Sequence, residues 1–376
     1  MGCTEVNDRY GDGKVIEACS LFGMMNLKGN RFSSEKPIIA MANMRERGNG
    51  LGGGFAVYGL YPDHKDDHAL HIMYTSRDAK RDTDVFIDER FEVQKDEEVP
   101  TREANVRDPP IVWRYFVQPR KSRLDGRPTD DYVMENVMQI NARTGKAFIF
   151  SSGKDMGVFK GVGFPEDIAE HFCLDEYRGY MWTCHGRFPT NTPGWWGGAH
   201  PFSILDWTVI HNGEISSYGI NRRYLEMYGY KCTMQTDTEV LAYAFDLLIR
   251  RHGLSIETAS LILAPPFWSE IDEEAPSRRS VLTALRQTYG SLLMNGPFTI
   301  IVAHYGEMIG LTDRIKLRPL SAGVKGDLFY LSSEEAPIHL VAPHIERVWR
   351  PKGGEPVVGR VGERVVQELL VREVGT

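Results

Sequence analysis

An α+β fold, in which sheets and helices share one core, is the architecture this 376-residue sequence predicts. Three observations carry it. Short runs rich in Ile, Val and aromatic residues open and close the chain, and runs with helical spacing occupy the middle. No internal repeat and no linker separates them, so layers sharing one core are expected and two separable domains are not.

Residues 1–18 are polar, rich in Gly and Asp, and without periodicity; they read as a leader. Ser20 to Met25 is short and apolar, as a buried strand is. Pro37 to Arg47 has helical spacing through Ile38, Met41 and Met44, and stops at Gly48-Asn49-Gly50. The run Gly52-Gly53-Gly54 leads into a strand at Phe55 to Leu60; it has no P-loop lysine and opens no helix, so it is not read as a phosphate loop. Strands are predicted over 69–75, 111–118, 132–140 and 147–152. The mixed-charge stretch Arg77 to Arg107 reads as solvated helix and strand, and the region near 77–131 as a surface insertion in one domain spanning 19–376.

Pro165 to Phe172 is expected to be a short helix, and Tyr180 to Cys184 and Trp207 to Ile210 are expected to be strands that run into polar loops. Helices are predicted at 221–227, 238–250, 256–263 and 278–289. Strands return at 298–303, 308–312, 328–331 and 365–370, giving a strand-rich C-terminal extension.

Bulk composition narrows the function. Charged residues make up 25% and hydrophobic ones 42%, as in an ordinary globular protein. A net charge of -7 argues against nucleic acid or an anionic membrane as partner. The five cysteines are widely spaced and form no C-x-x-C pair, which suggests neither a disulfide framework nor a metal site. The first residues have no basic and apolar signal pattern, and Asn295-Gly296-Pro297 breaks the uncharged stretch around it, so reducing cytosol is the compartment expected.

Four short segments carry chemistry. The first is Glu17-Ala18-Cys19-Ser20, a cysteine at the head of an apolar strand. The second is Cys184-His185-Gly186-Arg187-Phe188-Pro189-Thr190, followed by Gly198-Ala199-His200-Pro201-Phe202. The third is His211-Asn212-Gly213-Glu214, and the fourth Gln235-Thr236-Asp237-Thr238-Glu239. Each has an ordinary reading: a buried thiol, a surface ion pair, a tight turn, a helix cap. The first three also offer something amide chemistry needs: a nucleophile, a fork that grips a carboxylate, an oxyanion donor pair.

In this order the four segments resemble the active site of the class II glutamine amidotransferases, with wording closest to the amidotransferase domain of glutamate synthase. Asn295 to Ile301, Ile309 to Asp313 and Leu317 to Leu320 resemble that domain's distal half. The resemblance implies an N-terminal nucleophile hydrolase fold, a four-layer αββα sandwich. It implies removal of residues 1–18, so that Cys19 attacks glutamine with its own α-amine as base. It gives Asn212 and Gly213 the oxyanion, and Arg187, Thr190 and Asp237 the substrate. His185 and His200 are read as structural or as supports behind the residues that touch substrate. Hydrolysis of L-glutamine to glutamate and ammonia then needs no metal or cofactor. The partner implied is an ammonia-accepting synthase subunit of the flavin and iron–sulfur type. Alternatives are another acceptor, such as an N-methylglutamate synthase, or a non-catalytic glutamine-binding subunit.

Overall fold

The strand that follows Cys19, Ser20–Asn26, lies at the centre of a seven-stranded sheet. Its neighbours are Met181–Gly186 on one side and Leu328–Ser332 on the other, both antiparallel. Beyond them come Gly53–Tyr58 and Met156–Gly161 at one edge, Ser321–Lys325 and Arg347–Trp349 at the other. The computed structural model describes residues 18–143, 146–188, 194–234, 236–363 and 365.

A second sheet of five antiparallel strands runs Phe202–Ile204, Trp207–Gly213, Phe298–His304, Glu307–Thr312 and Val357–Arg360. Strand Ser20–Asn26 packs against Trp207–Gly213 and Phe298–His304, which stacks the two sheets face to face. Helix Glu35–Asn43, with Pro165–His171 and Ala336–Val341, covers the outer face of the first sheet. Helix Asp237–Phe245, backed by Tyr218–Glu226, covers the outer face of the second. The result is the helix–sheet–sheet–helix order of the N-terminal nucleophile hydrolases.

Strand alternation assigns side chains to these layers. Ile210 and Ile301 belong to the core between the sheets, whereas Val209 and Ile300 belong to the core under the outer helices. Asn212 shares the parity of Ile210 and His211 that of Val209. One dipeptide therefore serves both sides of the sheet.

A third sheet of four strands, Phe91–Glu98, Ile111–Pro119, His68–Tyr74 and Ala147–Ser151, carries helices Arg77–Arg90 and Thr129–Arg143. The charged stretch that begins at Arg77 is thus a helix followed by a strand whose polar residues face solvent. The strand expected at 132–140 is instead the middle of helix Thr129–Arg143. Tyr132, Val133 and Val137 suggest a strand by type, but this helix is buried on most sides, so no clean period survives. Asp130 and Asp131 in its first turn and Arg143 in its last suit the helix dipole. Apart from Val365, the strand expected at 365–370 lies outside the described residues. No described helix is long and apolar enough to cross a membrane.

Candidate active site

Cys19 stands one residue before its strand and is half-buried. Its sulfur receives the main-chain N–H of Phe188 at 3.4 Å and lies 3.9 Å from the Phe188 carbonyl oxygen. Burial pushes the thiol pKa above its ordinary value; the Phe188 N–H and the charges of Arg187, Arg318 and Arg47 work against that rise.

Arg187 is placed by the end of strand Met181–Gly186, and its N–H donates to the Gly52 carbonyl at 2.8 Å. The side chain is buried, which lowers its pKa, while Cys19 and Asp237 both act to raise it. The guanidinium thus shares one neighbourhood with a thiol and a carboxylate. The glycine run makes room for this side chain: a Cβ on Gly52 would lie 3.0 Å from Arg187 Cδ.

Asn212 is buried, and its Nδ2 has no hydrogen-bond partner among the described residues. An amide left so is costly unless something else is to receive the bond. Gly213 has φ +143, and a Cβ there would meet the Pro297 carbonyl oxygen at 1.9 Å. Only glycine fits this rung beside Phe298.

Asp237 opens helix Asp237–Phe245, with Thr236 capping by accepting the Thr238 N–H. Its carboxylate takes the Ile215 N–H at 3.0 Å and the Thr238 hydroxyl at 3.3 Å, and lies 3.5 Å from His211 Nδ1. Burial works to raise the carboxyl pKa, but His211, Ile215 and Thr238 together hold it below its ordinary value. Thr190 lies outside the described residues.

Cys19, Arg187 and Asp237 are therefore brought together, and Asn212 faces the layer in which the cysteine's strand lies. Two cations near the thiol escaped sequence reasoning. Arg47 donates from Nε to the Cys19 carbonyl at 3.3 Å and also pairs with Glu334. Arg318 sits on a loop knotted by Asp313, whose carboxylate accepts the N–H groups of Phe298, Ile315 and Leu317. Arg47 stands in no motif, and Arg318 lies in the segment Leu317 to Leu320, whose resemblance gave it no role. Behind the site Lys160 is buried, donating to the carbonyls of Gly197 and Pro201 at 3.1 and 3.2 Å, and burial brings its pKa down to about 7. Among the described residues no cluster of His, Cys, Asp or Glu could hold a metal ion.

The chain belongs to the class II glutamine amidotransferases: the family model "Glutamine amidotransferases class-II" matches residues 57–368. Arg187, Asn212, Gly213 and Asp237 fall inside the match, and Cys19 precedes it. A protein of Archaeoglobus fulgidus, itself uncharacterized, is 60% identical over 356 residues, covering 93% of this chain and 94% of its own length. An amidophosphoribosyltransferase of Methanocaldococcus jannaschii is 23% identical over 236 residues, covering 62% of this chain and 44% of its own. Among solved structures, the glutamine phosphoribosylpyrophosphate amidotransferase from B. subtilis aligns over 93% of this chain and 49% of its own, at 16% identity and TM-score 0.48. The chain thus spans about half the length of those last two proteins.

Proposed function

We propose that this chain hydrolyses L-glutamine to L-glutamate and ammonia with Cys19 as nucleophile, and passes the ammonia to a glutamate synthase-type partner of the flavin and iron–sulfur class. The observation that carries the reading is that the Cys19 thiol, held by the N–H of the residue after Arg187, and the Asp237 carboxylate both act electrostatically on the buried Arg187 guanidinium. A nucleophile, a guanidinium and a carboxylate in one neighbourhood suit the amide, the α-carboxylate and the α-ammonium of one amino acid. Family membership supports glutamine as that amino acid, and the motif wording supports the partner.

In this mechanism residues 1–18 are removed, which frees the Cys19 α-amine. Such an amine titrates at about 7.7–8.0, well matched to neutral pH. It takes the thiol proton as Sγ attacks the amide carbon. Asn212 Nδ2 and the Gly213 N–H receive the oxyanion, for which the unpartnered amide of Asn212 is available. The C–N bond breaks as the amine returns its proton to the leaving ammonia. Water then cleaves the thioester and releases glutamate. Arg187 clasps the α-carboxylate, Asp237 the α-ammonium, and Thr190 contacts the substrate.

The test is an intact-mass measurement paired with a glutaminase assay. The active protein is expected to start at Cys19, and Cys19→Ala to make no glutamate. Full activity in Cys19→Ala would remove the nucleophile from this reading.

A further inference from the structure

Thr238 is buried beside Asp237 and takes no part in the steps above. Three polar atoms surround its hydroxyl oxygen: His200 Nε2 at 2.8 Å, His211 Nδ1 at 3.2 Å and Asp237 Oδ1 at 3.3 Å. A hydroxyl has one proton to give and two lone pairs with which to receive. The Asp237 carboxylate can only accept. All three contacts are hydrogen bonds at once only if Thr238 donates to Asp237 and accepts from both imidazoles.

That solution fixes two tautomers. His200 carries its proton on Nε2 and His211 on Nδ1. The opposite ring nitrogens, His200 Nδ1 and His211 Nε2, are buried without a partner among the described residues, as bare lone pairs of these tautomers. The rings are themselves braced. His200 stacks on His185 with centroids 4.0 Å apart, and His185 Nε2 donates to the His211 carbonyl at 3.0 Å. Burial keeps His185 and His200 from charging at neutral pH.

The bracing ends on one oxygen of Asp237. The other oxygen, Oδ2, is held by the Ile215 N–H. With both oxygens engaged, the carboxylate cannot swing about its terminal torsion, and the lone pairs left over face a fixed direction. Without the Thr238 hydroxyl, Oδ1 loses its nearest side-chain donor and keeps the Thr236 hydroxyl at 3.4 Å, the His200 N–H loses its acceptor, and His211 Nδ1 is left with Oδ1 at 3.5 Å.

We propose that Thr238, held by His200 and His211, is a positioning residue that aims the Asp237 carboxylate at the substrate α-ammonium and so selects α-amino amides over amides that lack the amine. This rests on the role given to Asp237 above. The hydroxyl touches no substrate; it acts through its neighbour.

Steady-state kinetics of Thr238→Val and Thr238→Ser, with L-glutamine and with 4-carbamoylbutanoate (glutamine without its α-amine), test it. Thr238→Val is expected to raise the KM for L-glutamine about tenfold or more with kcat within about threefold, as loss of a bond to a charged group does. The KM for 4-carbamoylbutanoate is expected to stay within about twofold, because Asp237 has nothing to hold there. Thr238→Ser is expected to restore glutamine KM. An unchanged glutamine KM in Thr238→Val, or equal rises for both substrates, overturns the proposal. Asp237→Asn separates the two readings: if it leaves glutamine KM unaltered, the role of Asp237 falls, whereas if it alone raises KM, only the role of Thr238 falls. Should Thr238→Val not fold, the 15N spectrum of the unaltered protein decides. His200 protonated at Nε2 is expected, and protonation at Nδ1 overturns the proposal.

Discussion

The main-chain N–H of Phe188 points at the sulfur of Cys19 across 3.4 Å, joining residues 169 positions apart in the chain. An N–H donor favours the thiolate and so opposes the burial that pushes the thiol up. Phe188 directly follows Arg187. The thiol of Cys19 and the residue that carries the guanidinium are thus separated by one main-chain step.

Maturation is the first consequence to check. Protein purified with residues 1–18 attached is expected to be inactive, because the Cys19 nitrogen is then an amide and no base. Insertion of one alanine between Ala18 and Cys19, with cleavage still before that alanine, is expected to abolish glutamate release. Activity in that variant, with its N-terminus verified by mass, would rule out the α-amine as base.

Substrate recognition is expected to fail at either charged anchor. Arg187→Lys keeps the charge but loses the planar fork, and Asp237→Ala loses the anion. Each is expected to raise glutamine KM by about tenfold or more, the cost of a charge-assisted bond. Calorimetric titration of glutamine into the Cys19→Ala background reads the same loss as binding. Undiminished binding in both variants would mean that the amino-acid head group sits elsewhere.

The orphaned amide gives the third expectation. Asn212→Ala is expected to lower kcat by roughly a hundredfold or more while glutamine affinity changes little, as loss of one donor from a preorganised hole does. The loss is not a matter of support, since Nδ2 has no described partner to abandon. A kcat kept within a few fold would return Asn212 to the status of a strand-end residue.

Stability is expected to depend on pH through His304. This residue stacks on Trp207 at 4.0 Å and lies 3.1 Å from Asp206 and 3.8 Å from Glu307. Burial would lower its pKa, but the two carboxylates raise it to about 9. A folded pKa above the unfolded value of about 6.5 stabilises fully below that value and is lost as pH rises through the folded pKa. The Tm is therefore expected to fall between pH 7 and pH 10 by more in the native protein than in His304→Gln. Parallel Tm curves for the two proteins would show that the pair stabilises nothing.

Much of this arrangement is legible in the sequence. Ser20–Asn26, Trp207–Gly213 and Phe298–His304 are short apolar runs that end at turn residues, and a strand buried on both faces has that signature. Helix Thr129–Arg143 was not legible, since burial on most sides erased the polar stripe that identifies a helix. At the site, Arg187, Asn212 and Asp237 stand in dense motifs, and chemistry of that kind leaves a local pattern. Thr238 lies in one of those motifs and Arg318 in a quoted segment, but their contacts, like those of Arg47, come from other elements, with Arg47 and Cys19 28 positions apart and Thr238 and His200 38 apart. Such roles are written in tertiary contact and not in spacing.

The ladder of the central strand begins with Ser20 opposite Gly186, and its last rung on the other side joins Asn26 to Leu328. Every rung lies beyond the bond between Ala18 and Cys19. Hydrolysis of that bond would therefore break no pairing, and the new terminus would not fray as chain ends do. It would inherit the stiffness of a strand clasped on both flanks, with Arg47 gripping its first carbonyl. A severed end would thus be held as firmly as an interior residue, which is what an amine needs if it is to meet the same proton at every turnover.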